Sequence, residues 1–163
     1  MNNQPPEIHA FIDAQNVVQA TRRLGWDFDL IKLRKYLADK YNVTKAFYFI
    51  GYIPRNQRLY QAIQQAGFIL QFKEVANRPG DIKGNVDVNL TLHAAMTVDA
   101  YDEAILVSAD GDFLPLVQYW QSIGKFKIVL SPDEPNHTSR LLKRDAAGNI
   151  AFMPAIKAKI ERT

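Results

Sequence analysis

Short apolar runs alternate with amphipathic segments along the chain. The runs are rich in β-branched and aromatic residues with little polar interruption, as expected for strands that are covered on both faces of a sheet. They are IHAFID (8–13), KAFYFIGY (45–52), FILQFKEV (68–75), EAILVSA (103–109), FKIVLS (126–131) and, with a weaker pattern, NIAFMP (149–154). The pattern therefore predicts five strands and a weaker sixth.

The segments between these runs carry helix start and stop signals. Asp29 is suited to cap a helix over LIKLRKYLADKY, because its side chain can accept a hydrogen bond from a free backbone N–H. Gly67 and Gly124 each follow an amphipathic segment, as glycines that end helices do. If Asp112 caps the helix in FLPLVQYWQSI, Pro115 falls in its first turn, where a missing N–H costs nothing.

Strands that alternate with helices of about ten residues indicate βαβ units with right-handed crossovers. We therefore predict a three-layer α/β/α sandwich with a mainly parallel sheet. At 163 residues the chain fits one domain over 1–163. Its core would span about 8–153, and the basic segment 154–163 would form a last helix or tail. The polar segment 76–85 interrupts the alternation and is either a flexible linker or a working loop.

Composition excludes several classes of protein. The chain has no cysteine, which excludes disulfides, thiol catalysis and thiolate metal sites. Its N-terminus lacks a basic region followed by an apolar stretch, and no apolar run is long enough to cross a membrane. We expect a cytoplasmic protein with no membrane contact. A net charge of +3 and a pI near 9.1 allow a polyanionic partner without demanding one.

Several acidic residues stand where ligands bind in parallel sheets, beyond the carboxyl ends of strands. Asp13 follows the first strand, Asp110 and Asp112 follow a later one, and Asp87 opens a helix. Carboxylates that converge on one spot repel one another unless a cation is bound. An all-oxygen set without thiolates or paired histidines favours Mg²⁺ or Mn²⁺ over zinc.

Each aspartate also has an ordinary structural interpretation. Asp and Asn at strand exits are frequently helix caps or turn residues, and an aspartate in a first helical turn is favourable against the helix dipole. Singly, the structural interpretation is the stronger one for each residue. Jointly, the placement of Asp13 with Asp110 and Asp112 brings the two interpretations level.

Three segments carry a resemblance to a known family. FIDAQNV, KGNVDVNLTLHAA and YDEAILVSADGDFLPLVQYWQSIGKFKIVLSP resemble, in order and spacing, the NYN domain (the DUF88 or LabA-like group), a branch of the PIN-like nucleases. The likeness runs from about Ile8 to about Leu142. It implies a PIN-like sheet, an acidic cluster that binds Mg²⁺ or Mn²⁺, and RNA cleavage. The implied catalytic residues are Asp13, Asn16, Asp87, Asp110 and Asp112, with the four aspartates as metal ligands and Asn16 orienting Asp13 or the water.

The chain departs from the family pattern at two positions. Ala109 stands where members often carry glycine. His93 stands where many carry an acidic residue, and we interpret it as a packed side chain rather than a ligand or a substrate contact.

Basic and polar residues near the strand ends are candidates for supporting roles. Ser108 could hydrogen-bond a ligating carboxylate or be a plain strand-end serine. Lys83 could meet a phosphate, and Arg55 and Arg58 could line a groove for the RNA backbone, although such charges are often merely solvated. Further candidates are Arg22 and Arg23 for the groove and Tyr52 and Trp26 as stacking surfaces.

The leading prediction is a metal-dependent ribonuclease acting on single-stranded or structured RNA, with a homo-oligomer allowed. The alternative is a non-catalytic RNA- or protein-binding regulatory module that keeps the acidic pocket. A haloacid dehalogenase-type phosphatase ranks low because its second aspartate would stand where this chain has Gln15. A receiver-type domain also ranks low, since its phosphoacceptor aspartate should end a central strand and neither KAFYFIGY nor FILQFKEV offers one there.

Overall fold

A computed structural model describes residues 3–73 and 86–163. Its described residues contain six strands, which form one sheet in the order β3-β2-β1-β4-β5-β6 with every neighbouring pair parallel. The strands are β1 (Ile8–Asp13), β2 (Lys45–Gly51), β3 (Ile69–Lys73), β4 (Glu103–Val107), β5 (Phe126–Ser131) and β6 (Ile150–Phe152). All six predicted strands are present, and β1 lies between β2 and β4.

The helices follow the strands as the sequence predicts. They are α1 (Ala14–Arg23), α2 (Leu30–Tyr41), α3 (Gln57–Gln65), α4 (Val86–Met96), α5 (Leu114–Ser122), α6 (Arg140–Ala146) and α7 (Lys157–Ile160). Asp29 caps α2 by accepting a hydrogen bond of 2.9 Å from the Lys32 N–H. Gly67 and Gly124 have φ of +96° and +70°, the left-handed conformation that glycine adopts at low cost.

Alternate side chains of β1 enter two separate cores. Ile8, Ala10 and Ile12 pack with side chains of α1, α2 and α3 on one face of the sheet, which we call the first core. Phe11 packs with side chains of α4, α5 and α6 on the other face, which we call the second core. This alternation follows from the two-residue period of a strand. The predicted three-layer α/β/α sandwich is confirmed.

The C-terminal segment folds back onto the first core. Ile160 of α7 is fully buried, and Glu161 forms an isolated antiparallel bridge with Phe28. The segment predicted as a last helix or tail contains a short α-helix over residues 157–160. No helix in residues 3–73 or 86–163 is long and apolar enough to span a bilayer.

The predicted cap of α5 is wrong. The N-cap residue of α5 is Phe113, which makes no side-chain capping hydrogen bond. A 3-10 turn over Gly111–Phe113 precedes α5, and Asp110 caps that turn by accepting a hydrogen bond of 2.9 Å from the Asp112 N–H. Pro115 still lies in the first turn of α5. The Asp112 carboxylate is consequently not committed to capping.

Candidate acidic metal centre

Asp13 lies at the junction of β1 and α1 and is only 4% exposed. Its Oδ1 accepts a hydrogen bond of 3.3 Å from the Asn16 N–H, which makes it the N-cap of α1. Its Oδ2 accepts a hydrogen bond of 3.3 Å from the Ser108 hydroxyl. The predicted contact between Ser108 and a carboxylate of the site is therefore present.

Hydrogen bonds tie the exit of β1 to the exit of β4. The Ser108 Oγ also accepts a bond of 3.1 Å from the Asp110 N–H. The Asn16 Oδ1 accepts a bond of 2.8 Å from the Ala109 N–H. The loop that carries Asp110 is thus held against the start of α1 by the bonds from Ser108 to Asp13 and from Ala109 to Asn16.

Asp87, Asp110 and Asp112 come together at this edge of the sheet. One carboxylate oxygen from each lies within 4.8 Å of the other two, and we call this set the acidic triad. Asp87 projects from the first turn of α4, which packs against β1 and β2. The Asp87 and Asp110 side chains are half-buried, whereas Asp112 is exposed.

The acidic triad fits a hard divalent cation. Magnesium binds oxygen ligands at about 2.0–2.1 Å, so two oxygens on opposite sides of an octahedral ion are about 4.2 Å apart. The three oxygens lie within 4.8 Å of one another, so small side-chain movements would bring all of them to one ion. The set holds only carboxylates, which are ligands for Mg²⁺ or Mn²⁺ rather than for zinc.

Burial and mutual repulsion favour the protonated forms of Asp87 and Asp13. Burial raises the pKa of Asp87, and the nearby charges of Asp110 and Asp112 raise it further. Burial also raises the pKa of Asp13 to about 6, the hydrogen bonds from Asn16 and Ser108 oppose this, and the charges of Asp87 and Asp110 add to it. A bound cation would relieve this repulsion.

A family model matches most of the chain. The model of the NYN domain matches residues 7–152. The chain belongs to the NYN domain family. This family is a branch of the PIN-like nucleases, which are typically metal-dependent.

Two comparisons extend over nearly the whole NYN domain. It is 26% identical to the low amplitude and bright protein LabA of Synechococcus elongatus over 171 residues, covering 98% of this chain and 90% of LabA. It is also similar to the crystal structure of VPA0982, a protein of unknown function from Vibrio parahaemolyticus. There the TM-score is 0.76, the identity is 27% and 99% of each chain is covered.

Not all four predicted metal ligands meet in the NYN domain. Asp87, Asp110 and Asp112 form the triad, whereas Asp13 lies beside it and is coupled to it by charge. Asp13 is buried among hydrogen bonds beneath the loop that bears Asp110, where it caps α1.

The structure describes four of the five basic residues that were predicted to contact RNA. Arg55, in a 3-10 turn, and Arg58, on α3, are both exposed. Arg22 is exposed and lines a cavity beside the site. Arg23 forms an ion pair with Asp133, and its side chain is 42% exposed. Lys83 and the segment 76–85 lie outside the described residues.

The two aromatic candidates of the groove differ in exposure. Tyr52 is 40% exposed and its ring stacks on Tyr60, with the centroids 5.8 Å apart. Trp26 is partly buried and packs against the first core, which leaves less of its ring for a ligand.

His93 packs against aromatic side chains of the second core of the NYN domain. Its ring centroid lies 4.8 Å from that of Phe47, 5.5 Å from that of Phe49 and 6.3 Å from that of Phe11. Burial lowers the pKa of His93, and its Nε2 has no hydrogen-bond partner among the described residues. These contacts agree with the interpretation of His93 as a packed side chain.

One residue of the site was not singled out from the sequence. A Cβ added to Gly111 would lie 2.6 Å from the Ser139 Oγ, which accepts the capping hydrogen bond of α6 from the Leu142 N–H. The loop between Asp110 and Asp112 therefore passes too close to α6 for a larger residue. The glycine between two aspartates was the available signal, but its reason lies in a helix that is distant in sequence.

Proposed function

We propose that this NYN domain is a metal-dependent ribonuclease that hydrolyses phosphodiester bonds in single-stranded or structured RNA. The observation that carries the proposal is the meeting of Asp87, Asp110 and Asp112 within 4.8 Å in a chain of this family. Mg²⁺ or Mn²⁺ would be held by these three carboxylates, with Asp13 as the fourth acidic residue. When bound, the cation would supply Lewis-acid charge at a phosphodiester and favour ionisation of water.

The residues around the triad would position it. Asp13 already accepts one hydrogen bond on each oxygen, and each oxygen retains a lone pair for a ligand or a water proton. With a pKa of about 6, Asp13 is mostly ionised at neutral pH yet remains a better proton acceptor than an ordinary aspartate. Ser108 and Asn16 would fix the positions of Asp13 and the Asp110 loop, as the hydrogen-bond partners of metal ligands do.

Exposed cations would bind the RNA backbone. Arg55 and Arg58 lie near the carboxyl end of β2, the edge of the sheet that also carries the site. With Lys83 they would contact phosphates, so the affinity for RNA should fall steeply as salt rises. The slope of this fall should be shallower in the triple variant Lys83→Ala, Arg55→Ala, Arg58→Ala than in the wild type. Equal slopes would show that these three residues are ordinary surface charges.

The decisive experiment is cleavage of single-stranded RNA by highly purified protein with Mn²⁺ and with EDTA. Asp110→Asn should lower the rate by orders of magnitude, because it removes one charge from the triad while keeping the size of the side chain. The control is Asp39→Asn on α2, which removes an exposed aspartate that pairs with Lys35. Cleavage that is undiminished in Asp110→Asn would identify a contaminating nuclease.

A second candidate is a non-catalytic module that acts through a second copy of the chain. Val88, Leu92 and Met96 of α4 are 59%, 55% and 76% exposed and follow one another at four-residue spacing on one side of the helix. One such stripe suffices for a symmetric pair, since a two-fold interface uses the same patch twice. The stripe lies on the helix that carries Asp87, so pairing would occur beside the triad.

The second candidate predicts a dimer in sedimentation velocity. Leu92→Gln should shift the protein to the monomer, because it removes the centre of the stripe. Ile31→Gln, which replaces an isolated exposed isoleucine on α2, should have no effect. A monomeric wild type at high protein concentration would exclude self-association through α4.

A further inference from the structure

A cavity of about 480 Å³ opens beside the acidic triad, on the face of the sheet covered by α1 and α2. Its lining includes Ala14 and Gln15, which follow Asp13 directly, and Val86, which precedes Asp87. The cavity and the acidic residues are therefore adjacent along two separate segments of the chain. The volume is within the range of roughly 300–1,000 Å³ that is usual for small-ligand sites.

The cavity has apolar walls and a few polar groups. Val18, Phe28 and Leu59 contribute apolar surface, while Gln15 and Asn56 contribute amides that can both donate and accept hydrogen bonds. This combination suits a flat ring with hydrogen-bonding edges better than it suits an alkyl chain, which would leave the amides without partners.

Tyr48 supplies a hydrogen-bonding group to the wall of the cavity. It lies on β2 between β1 and β3, is 3% exposed and lines the cavity. The described residues form no hydrogen bond with its hydroxyl, and that oxygen is not among the fully buried atoms without a partner. Burial, together with the charges of Asp27 and Asp13, raises the pKa of Tyr48, so the hydroxyl stays protonated and can donate. A hydroxyl that faces a cavity pairs with water when no ligand is bound, and the acceptor of a ligand can replace that water.

Charge at the cavity favours a ligand that continues into a phosphate. Arg22 and Lys73 lie in the lining, and the exposed Arg55 directly precedes the lining residue Asn56. Asp27, also in the lining, is already paired with Arg162 at 3.1 Å. No carboxylate among residues 3–73 and 86–163 forms an ion pair with Arg22 or Lys73, so both can contact a phosphate or a sugar edge near the mouth.

We propose that this cavity binds a nucleobase, contributed by the nucleotide next to the phosphodiester at the acidic triad. The base would stack against the apolar walls and accept a hydrogen bond from the Tyr48 hydroxyl, with Gln15 and Asn56 at its remaining edges. The assignment to an RNA strand rests on the proposed ribonuclease function. Binding of the base itself does not, because it needs neither the cation nor cleavage.

The test has two arms and uses two variants of the full chain. Tyr48→Phe removes the hydroxyl and keeps the ring, whereas Val18→Phe fills part of the cavity from α1. Tyr119→Phe, at a 37% exposed position on α5, is the matched control. The melting temperature of each variant verifies the fold, and Tyr48→Phe alone suffices if Val18→Phe does not fold.

The first arm measures binding of adenosine and uridine in EDTA by ligand-observed NMR. At least one nucleoside should bind the wild type and Tyr119→Phe, and should bind Tyr48→Phe about 10-fold more weakly through loss of one buried hydrogen bond. Binding that is absent, or equal in Tyr48→Phe and the wild type, would overturn the proposal, whatever the outcome of the cleavage assay.

The second arm decides where the base comes from. A series of RNA octamers is compared, each with one abasic site at a different position. The octamer that is abasic at one particular position should bind the wild type more weakly than the others do. That position should lose its effect in Tyr48→Phe. A flat scan together with nucleoside binding would reject the strand as the source and assign the cavity to a free nucleotide. The proposed ribonuclease function is tested separately, since it fails only if metal-dependent cleavage is absent.

Discussion

The side-chain oxygen of Asn16 accepts a hydrogen bond of 2.8 Å from the backbone N–H of Ala109, 93 residues later in the chain. This bond crosses from the first turn of α1 to the residue before Asp110. It provides a hydrogen-bond acceptor for a buried part of the loop that no strand pairing reaches. The Asn16 side chain thus holds the Asp110 loop, and its backbone N–H holds Asp13.

We expect Asn16→Ala to lower the free energy of unfolding by about 1–3 kcal/mol, because the Ala109 N–H loses its acceptor in a largely buried position. The affinity for Mn²⁺ should fall as well, since the loop that bears Asp110 is released. Urea denaturation and metal titration measure the two effects. Gln19→Ala, an exposed position on α1, is the control. Unchanged metal affinity in Asn16→Ala would show that the loop holds its conformation without this bond.

Mg²⁺ or Mn²⁺ should raise the melting temperature of the wild type, because a ligand that binds the folded state stabilises it by mass action. The shift should grow with metal concentration and be lost in Asp110→Asn. Asp39→Asn should keep it. Differential scanning fluorimetry with each ion gives the measurement. Equal shifts in the wild type and Asp110→Asn would mean that the ions bind elsewhere.

Asp13→Asn should stabilise the metal-free protein at neutral pH. Because the folded-state pKa is raised from 3.8 to about 6, folding favours the protonated form. The contribution of protonated Asp13 to the free energy of unfolding is fully present below pH 3.8 and is lost as pH rises towards 6. Ionised Asp13 then costs up to about 3 kcal/mol at neutral pH, less any hydrogen bond that asparagine cannot accept.

The gain from Asp13→Asn should therefore be present at pH 7.5 in EDTA and vanish near pH 4. Urea denaturation at the two values measures it, and RNA cleavage with Mn²⁺ should fall by orders of magnitude in the same variant. A variant that is less stable than the wild type at both pH values would mark Asp13 as a structural cap whose charge is tolerated.

Asp112→Asn should leave the free energy of unfolding in EDTA nearly unchanged. Asp110 supplies the cap of the turn before α5, so replacement of Asp112 removes no capping bond of the kind that is worth about 1 kcal/mol. The metal-induced rise in melting temperature should nevertheless shrink, since Asp112 belongs to the triad. A clear loss of stability in EDTA, with the metal effect intact, would assign Asp112 a structural role instead.

His93→Phe should reduce the loss of stability on acidification. Burial lowers the pKa of His93, so the unfolded chain takes up the proton more readily than the folded one. Stability is consequently complete above the unfolded value of about 6.5 and is lost as pH falls below it. Urea denaturation at pH 7.5 and 5.5 should give a smaller difference for His93→Phe than for the wild type. The exposed variant His137→Phe serves as control, and equal differences in all three proteins would contradict the prediction.

The strands and helices were predictable because their signals are local. Uninterrupted apolar runs identified the six strands, and Asp29, Gly67 and Gly124 marked helix ends correctly. The cap of α5 was mistaken because a 3-10 turn precedes the helix, and Asp110 caps that turn while α5 itself begins after Phe113. Gly111 within the turn passes against Ser139 of a distant segment.

The sequence by itself determined the chemistry available to this protein: oxygen ligands without thiols, at the carboxyl ends of parallel strands, in the pattern of the NYN family. Only the tertiary structure decided which aspartates meet. Strand order and the packing of α4 bring Asp87 to Asp110 and Asp112, whereas capping of α1 holds Asp13 beneath them. The cavity at Tyr48 also required the folded chain. The physical reason is that residue type sets what a side chain can bind, while distances, burial and mutual repulsion arise only when remote segments pack together.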